Sequence, residues 1–546
     1  MKSLKNRFSI ALVLICLFSV NANAQSLKLQ LVFSQPKYAP GDTAYFRGRL
    51  FSEGNMKLAT GKRVISLKLL GSDGKIHFHN RVVFQDGSCA NQLILTTNPD
   101  QYTLLAYSED LSRQGNNTPI FKSPFVIAGE KSVINKSSIP PEQSRVITSV
   151  IPDKEKYSAR QPVNVQLSIT DMDSKPIEGD FSVSVIHSDL FEDATSMNSL
   201  SVGNESAVNP MGNNKTMSYY FKGKVITEKA LADSTLVTFY LNRNDFVYPL
   251  YINSSGTFEF PLFKEFGDER IYYTITRKGA KVMGTIISDE PVIRNDSLRA
   301  VTMASAVEDT YSSFVKRRNV VMKSFLYYSN RLPQDNYEEW LDSDFDIELD
   351  KFEPFSSMQE LLGNIVQMVR YRKKDNEEMV RVFLRDNAIY ATVDPLYIID
   401  GVMTDNTKYF LNLLPANVDK IGILRSQETL SRYGELGKNG IILVRTKPTA
   451  REELPSNQHE LFVTGISKSI PFKSPSYANQ KQSNIPDLRS TLYWNPKILT
   501  DNQGKSSFSF YTGDATGSFK IRVEGMTNNG ILFTKEIPFT VSYEKP

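Results

Sequence analysis

The chain has 546 residues, with 64 Lys and Arg against 60 Asp and Glu and two Cys. Three of those bases sit in the first few residues, so the remainder is nearly neutral, which excludes nucleic-acid binding through bulk charge. Tyr and Phe supply nearly all the aromatic content, a composition that favours strands and argues against extensive disorder.

Lys2, Lys5 and Arg7 precede an apolar run from Phe8 to Val20, then Asn21-Ala22-Asn23-Ala24. This pattern predicts an export signal over 1–24, cut between Ala24 and Gln25. The apolar run is shorter than the roughly 20 residues a spanning helix needs. Cys16 lies inside that run behind Ile15, where lipid attachment would want a small residue, so ordinary cleavage is expected. Cys89 is then the sole thiol, and an internal disulfide is excluded. No later stretch is apolar enough for a membrane helix. The mature chain is expected to be exported, in the periplasm or at the outer membrane.

Strands dominate the first half. Leu27–Phe33 alternates polar and apolar residues, and Thr43–Leu50, Val64–Leu70, His77–Phe84, Asn91–Thr96 and Tyr102–Tyr107 follow. Ser72-Asp73-Gly74 and Gln85-Asp86-Gly87 provide turns between them. Short strands at this spacing predict an antiparallel sandwich over 25–130. Lys37-Tyr38-Ala39-Pro40-Gly41-Asp42 is echoed by Lys156-Tyr157-Ser158-Ala159-Arg160-Gln161, about one domain later. With strands at Val163–Thr170 and Asp180–His187, this predicts a second sandwich over 145–225. Asp189–Asn214 reads as an exposed connector, with a bait or binding loop as the alternative. A third β-rich module is expected over 226–297.

Near residue 300 the composition changes. Ala306–Tyr328 lacks Gly and Pro and predicts an amphipathic helix within a helical linker over 298–350. Phe355–Tyr371 predicts another, capped by Ser356 or Ser357, with Leu361, Leu362, Ile365, Val366 and Val369 as its apolar face. Asp394–Thr446 then alternates strand, helix and strand, so 351–450 is expected to be an α/β insert.

Two resemblances follow from particular residues. Asp394-Pro395-Leu396-Tyr-Ile-Ile-Asp400-Gly401-Val402, Leu414–Leu424, Ser431-Arg-Tyr433-Gly434 and Lys438-Asn439-Gly440–Lys447 resemble, in order, the plug domain of TonB-dependent outer-membrane receptors. Their physics agrees, because Asp400-Gly401 and Asn439-Gly440 are turn pairs flanking buried strands. No barrel-like series of strands follows, so a transporter in its own right is not expected. Arg489–Pro496, Thr500–Lys505, Ser507–Tyr511 and Phe519–Gly525 resemble a closing module of alpha-2-macroglobulins over 470–546, and Tyr38–Asp42 resembles the opening of their second domain. Together the resemblances imply an exported Bacteroidota macroglobulin-like protein. The fold class expected is multi-domain and mainly β, with antiparallel macroglobulin-like sandwiches and an inserted α/β plug-like domain.

Chemistry is sparse. The Cys-Gly-Glu-Gln thioester of macroglobulins is missing around Cys89, which reads as a core residue. His77 and His79 share one strand face but are too few for a metal, and are expected on the surface. Asp342, Asp344, Asp346 and Glu348 alternate, yet Ile347 stands where a calcium loop needs Gly. No nucleophile elbow, phosphate loop or zinc-protease motif is present. The expectation is a non-enzymatic envelope protein without cofactor or metal. It would bind proteins, such as an outer-membrane receptor or assembly complex, through the plug-like insert. The alternative is a macroglobulin-like protein that obstructs proteases without a thioester.

Overall fold

The computed structural model describes residues 25–52, 57–113, 117–129, 146–191, 207–208, 218–228, 230–232, 234–241, 246–263, 267–278, 280–290, 310–324, 342–375, 377–447, 459–478, 485–527 and 531–543. The expected leader over 1–24, with Ala24, lies outside these residues, as does most of the 189–214 connector. The chain divides into two compact units, one from Met1–Tyr219, Val292–Tyr328 and Ile466–Pro546, the other from Tyr220–Pro291 and Ser329–Gly465.

The first unit opens with β1 (Gln25–Phe33), β2 (Thr43–Ser52), β3 (Lys62–Leu70), β4 (Ile76–Gln85), β5 (Ser88–Ile94), β6 (Asp100–Ser108) and β7 (Phe121–Ile127). Strands β1-β2-β5 form one layer and β4-β3-β6-β7 the other, joined where Gln85 pairs with Ser88. The period-two pattern of β1 sends Leu27, Leu29, Leu31 and Phe33 inward against Phe46, Ile65, Val82 and Leu104. Asp86 and Gly87 both take positive φ, so the expected turn is a primed hairpin that matches the twist of its strands.

Next come β8 (Val146–Pro152), β9 (Lys156–Ser158), β10 (Pro162–Asp171) and β11 (Gly179–His187). The chain then leaves this sandwich for β12 (Ser218–Thr227), β13 (Thr235–Leu241), β14 (Phe246–Ile252), β15 (Thr257–Phe263), β16 (Glu269–Arg277) and β17 (Gly284–Ser288). Helix α1 (Thr310–Ser324) follows, inside the expected 306–328 helix. An α/β domain contains β18 (Phe345–Glu348), α2 (Met358–Asn364), β19 (Val369–Lys374), β20 (Glu377–Leu384), β21 (Leu396–Ile399) and β22 (Val402–Thr404). It continues with α3 (Thr407–Leu411), β23 (Val418–Leu424), α4 (Gln427–Leu430) and β24 (Ile441–Thr446), after which β25 (Glu460–Val463) appears. The last strands are β26 (Thr491–Leu499), β27 (Lys505–Tyr511), β28 (Gly517–Thr527) and β29 (Leu532–Ser542).

Pairing reassembles what the chain separates. β8-β10-β27 form one layer and β26-β11-β28-β29-β9 the other. Tyr157, Val163, Phe181 and Val185 share a core with Leu492, Phe510, Phe519 and Val541. The modules read from sequence at 145–225 and 470–546 are therefore two halves of one sandwich. Either half alone would leave strand edges unpaired and a core half filled. The pairs β1–β2, β2–β5, β3–β4, β3–β6 and β6–β7 recur as β8–β10, β10–β27, β11–β26, β11–β28 and β28–β29. The second sandwich is thus a copy of the first, opened in its β11–β26 hairpin by residues 188–490.

The repeated tyrosine shows why the copies match. The Tyr38 hydroxyl bonds Ser34 Oγ at 3.2 Å and accepts from Gln35 N at 3.3 Å. Tyr157 donates to Asp153 Oδ1 at 2.7 Å and accepts from Lys154 N at 2.9 Å. Four residues on, Asp42 accepts from Ala39 N and Gln161 from Ser158 N, closing the same turn. Each tyrosine also pairs in parallel with its sandwich's last strand, Tyr38 with Ile127 and Tyr157 with Val541.

In the second unit, β17-β12-β15 and β14-β13-β16-β25 repeat this two-layer order, with β17 in the place of β1 and β25 in the place of β7. The strand entering at Ser218 places 218–225 in this third module rather than in the second sandwich. The α/β domain has the mixed sheet β18-β23-β24-β21-β22, in which β21 and β24 run parallel. β18 joins this sheet, so the domain begins before residue 351. The helix expected over 355–371 stops at Asn364, because Val369 begins a strand paired with Val382. Its start follows the expected cap: Ser357 Oγ accepts from Glu360 N, while the Glu360 carboxylate accepts from Ser356 N and Oγ. The fold is mainly β with several antiparallel sheets.

Candidate functional site

The residues whose sequence resembles a receptor plug lie at β21, in its turn into β22, and in the segment leading into β24. Pro395 and all of β21 are buried. Tyr397 and Ile399 face the helical side with Leu361 and Phe410, and Leu396 and Ile398 face Tyr240, Tyr272 and Tyr433 of the same unit. That two-sided burial explains the unbroken apolar run. Asp400 and Gly401 turn the chain at positive φ into β22. The Asp400 carboxylate also accepts from Thr446 N at 2.8 Å and Thr446 Oγ1 at 2.5 Å, tying the turn to the end of β24. Leu396 N donates to Gly440 O, and a Cβ at Gly440 would collide with Val382. Tyr433 stacks on Tyr240 at 5.2 Å, Gly434 breaks the local helical turn with φ 50° and ψ −130°, and Asn439 is half-buried before Gly440. These residues turn and pack the chain, and none presents a reactive group.

The residues with potential chemistry are committed elsewhere. Cys89 is buried in the first core, which pushes its thiol up to about 12, far from a nucleophile's range. His77 Nε2 lies 2.9 Å from Asp73 Oδ1 at the surface. His79, expected on the surface beside it, is instead buried, with Nε2 2.5 Å from Ser66 Oγ of the neighbouring strand β3. Burial, with Arg81 and Lys68 nearby, holds its imidazole well below the usual value and therefore neutral. Of the acidic run, Asp344 accepts from Arg425 N at 2.6 Å, Ser426 N at 2.8 Å and Thr429 Oγ1 at 2.9 Å. Burial alone would raise this carboxyl, but those donors hold it below the ordinary range. Asp346 pairs with Lys420 and Glu348 with Lys351. Among the described residues no three His, Cys, Asp or Glu are placed to hold a metal.

Two buried polar centres escape sequence reasoning. Asp42 Oδ2 accepts from the Tyr311 hydroxyl at 2.5 Å, and Arg318 reaches Oδ1, so the turn of the first sandwich anchors α1. Gln35 donates to the Tyr311 hydroxyl and accepts from Ser490 and Thr491. Arg47 and Arg49, almost wholly enclosed, converge on Asp180 of β11. Two Arg at alternate positions of an otherwise apolar strand were the available signal; their partner lies too far along the chain to be guessed. Tyr45, Phe46, Phe472, Tyr493, Trp494 and Pro496 help line a cleft of about 400 Å³ with Asn91 and Asn495, and among the described residues no charged side chain lines it.

No family model matches the chain. Over 118 residues, 21% of this chain and 10% of the other, it is 29% identical to TonB-dependent receptor P26 of Formosa agariphila. The chain thus aligns with about a tenth of that receptor's length. Among solved structures, trypsin-activated alpha-2-macroglobulin from Escherichia coli is matched with TM-score 0.25 and 8% identity over 95% of this chain and 42% of the other. Salmonella alpha-2-macroglobulin reacted with methylamine gives 0.24 and 10% over 95% and 40%. The chain spans about two-fifths of those macroglobulins. At such scores the fold rests on the strand pairing described above.

Proposed function

We propose that the protein is a non-enzymatic binding protein of the cell envelope, an adaptor that associates with outer-membrane machinery of the TonB-dependent receptor type through its α/β domain. The observation that carries this reading is the ordered set of plug-type positions from Pro395 to Gly440, all spent on turning and packing one small domain. The stretch of identity to a TonB-dependent receptor is in keeping with it. A domain whose distinctive residues build a shape rather than a reactive centre works by presenting surface. Export and the macroglobulin-like character of the sandwiches belong to the same proposal.

The experiment is mild crosslinking in intact cells, followed by purification of a tagged copy and mass spectrometry. The reading predicts recovery of a barrel protein, with crosslinks from lysines of the α/β domain such as Lys408 and Lys438. Recovery of the protein alone, or of a partner crosslinked exclusively to the sandwiches, rejects it.

A further inference from the structure

Strand β19 reads Val369-Arg370-Tyr371-Arg372-Lys373-Lys374, and its alternation divides two faces. Val369 pairs with Val382 and Tyr371 with Val380 on the inward face, where the valines belong to the core and Tyr371 packs against it. Arg370, Arg372 and Lys374 are exposed on the other face, opposite Arg381, Met379 and Glu377 of β20. Arg370 lies over the Tyr390 ring at 3.9 Å, and Phe383 meets Tyr390 edge-on at 5.1 Å. Arg381 is taken up by Asp394. β19 ends its sheet, whose order is β19, β20, then Ile389–Tyr390.

We propose that this outward face docks an extended acidic segment of another protein, carrying carboxylates at every second residue. Alternate side chains of a strand stand about 6.6 Å apart, so three cations in this register match acids at the same spacing on an extended partner. Guanidinium groups receive carboxylates through paired hydrogen bonds. The shoulder of Met379, Phe383 and Tyr390 offers apolar contact to the residues between, which suits a polypeptide. A long phosphate polymer would meet Glu377 and Asp394 at the margins, on a chain without bulk positive charge. In the run that ends at Glu348, Asp344 is held by backbone N–H groups, Asp346 by Lys420 and Glu348 by Lys351. The charge complementarity of the β19 face is to a second protein, the occupant tested below. This surface lies on the α/β domain of the receptor reading, but the peptide test below fails or holds independently of that reading.

The test is fluorescence anisotropy of the full chain with a labelled octapeptide alternating Glu and Thr. Binding should weaken as salt rises, and the same composition with its Glu residues in one block should bind about tenfold more weakly. Arg372→Glu with Lys374→Glu should abolish binding without a change in Tm. The milder pair Arg372→Gln with Lys374→Gln should lose about tenfold. Equal affinity for the two peptides, or unchanged binding by the charge-reversed variant, overturns the proposal. So does binding of phosphatidylglycerol vesicles or a single-stranded oligonucleotide in place of the peptide. Self-association of the variants, with no peptide bound by the parent chain, would show that the cations merely guard an edge strand and would equally overturn it.

Discussion

The first and second sandwiches have the same strand order, the same tyrosine corner and the same pairing, but one is continuous and the other is broken across residues 188–490. The comparison teaches that this fold is held by long-range pairing and a shared core rather than by the continuity of its hairpins. An open hairpin costs loop-closure entropy that grows slowly with length. The completed layers, with Phe181 and Val185 against Leu492 and Phe519, outweigh it. The third module takes this further, filling the first and last positions with β17 and β25, on either side of the α/β domain.

The largest expected effect breaks the join between the two copies. Asp180→Ala leaves Arg47 and Arg49 buried without their carboxylate and should cost about 3 kcal/mol in denaturant unfolding. Burial raises the Asp180 carboxyl, but Arg47 and Arg49 more than reverse this, so its value lies below the ordinary 3.8. The ion pair therefore stabilises fully above the ordinary 3.8, and its contribution is lost as pH falls from there through the lowered value. Unfolding curves of the parent and the variant should converge in acid.

Next comes the turn that both copies share. Gly87 and Gly504 take φ of 71° and 68°, and a Cβ on either would press on a backbone carbonyl, Leu50 O or Ile169 O. Each glycine's carbonyl accepts from the residue it crowds, Leu50 N at 2.8 Å and Ile169 N at 2.9 Å. Gly87→Ala and Gly504→Ala should each lower stability by about 2 kcal/mol. A cost at one site alone would break the equivalence. The smallest effect separates the copies: Tyr38→Phe should cost about 1 kcal/mol and Tyr157→Phe less. Both tyrosines lie wholly inside, but the partner Ser34 of Tyr38 is buried with it, whereas the partner Asp153 of Tyr157 is exposed to water. Thermal melts of the two variants check the order.

Much of this was legible locally. Strand positions followed from alternation, the Asp86-Gly87 and Asp400-Gly401 turns from residues that tolerate positive φ, and a cap at Ser356 or Ser357 from the residue type before the apolar stripe, which the structure resolves to Ser357. The echo of Tyr38 in Tyr157 pointed to a second sandwich, of which only half lies within 145–225. Its other half stayed hidden, because no local pattern says that Phe181 will pack with Phe519. The end of α2 was misjudged, since Val366 and Val369 fit a helical stripe as well as a buried strand entry. His79 was misplaced for a related reason, its partner Ser66 being set by register rather than by sequence distance. At the candidate site the turn residues were visible, but the contact of Tyr433 with Tyr240 depends on the fold of another module.

Native-state hydrogen exchange on the full chain tests the central claim most directly. If 146–187 and 491–542 are one sandwich, the amides of Gly179–His187 and Gly517–Thr527 should exchange through a single opening, with equal free energies and equal response to denaturant. Exchange of Gly517–Thr527 through a separate, lower-energy opening while Gly179–His187 stays protected would contradict it.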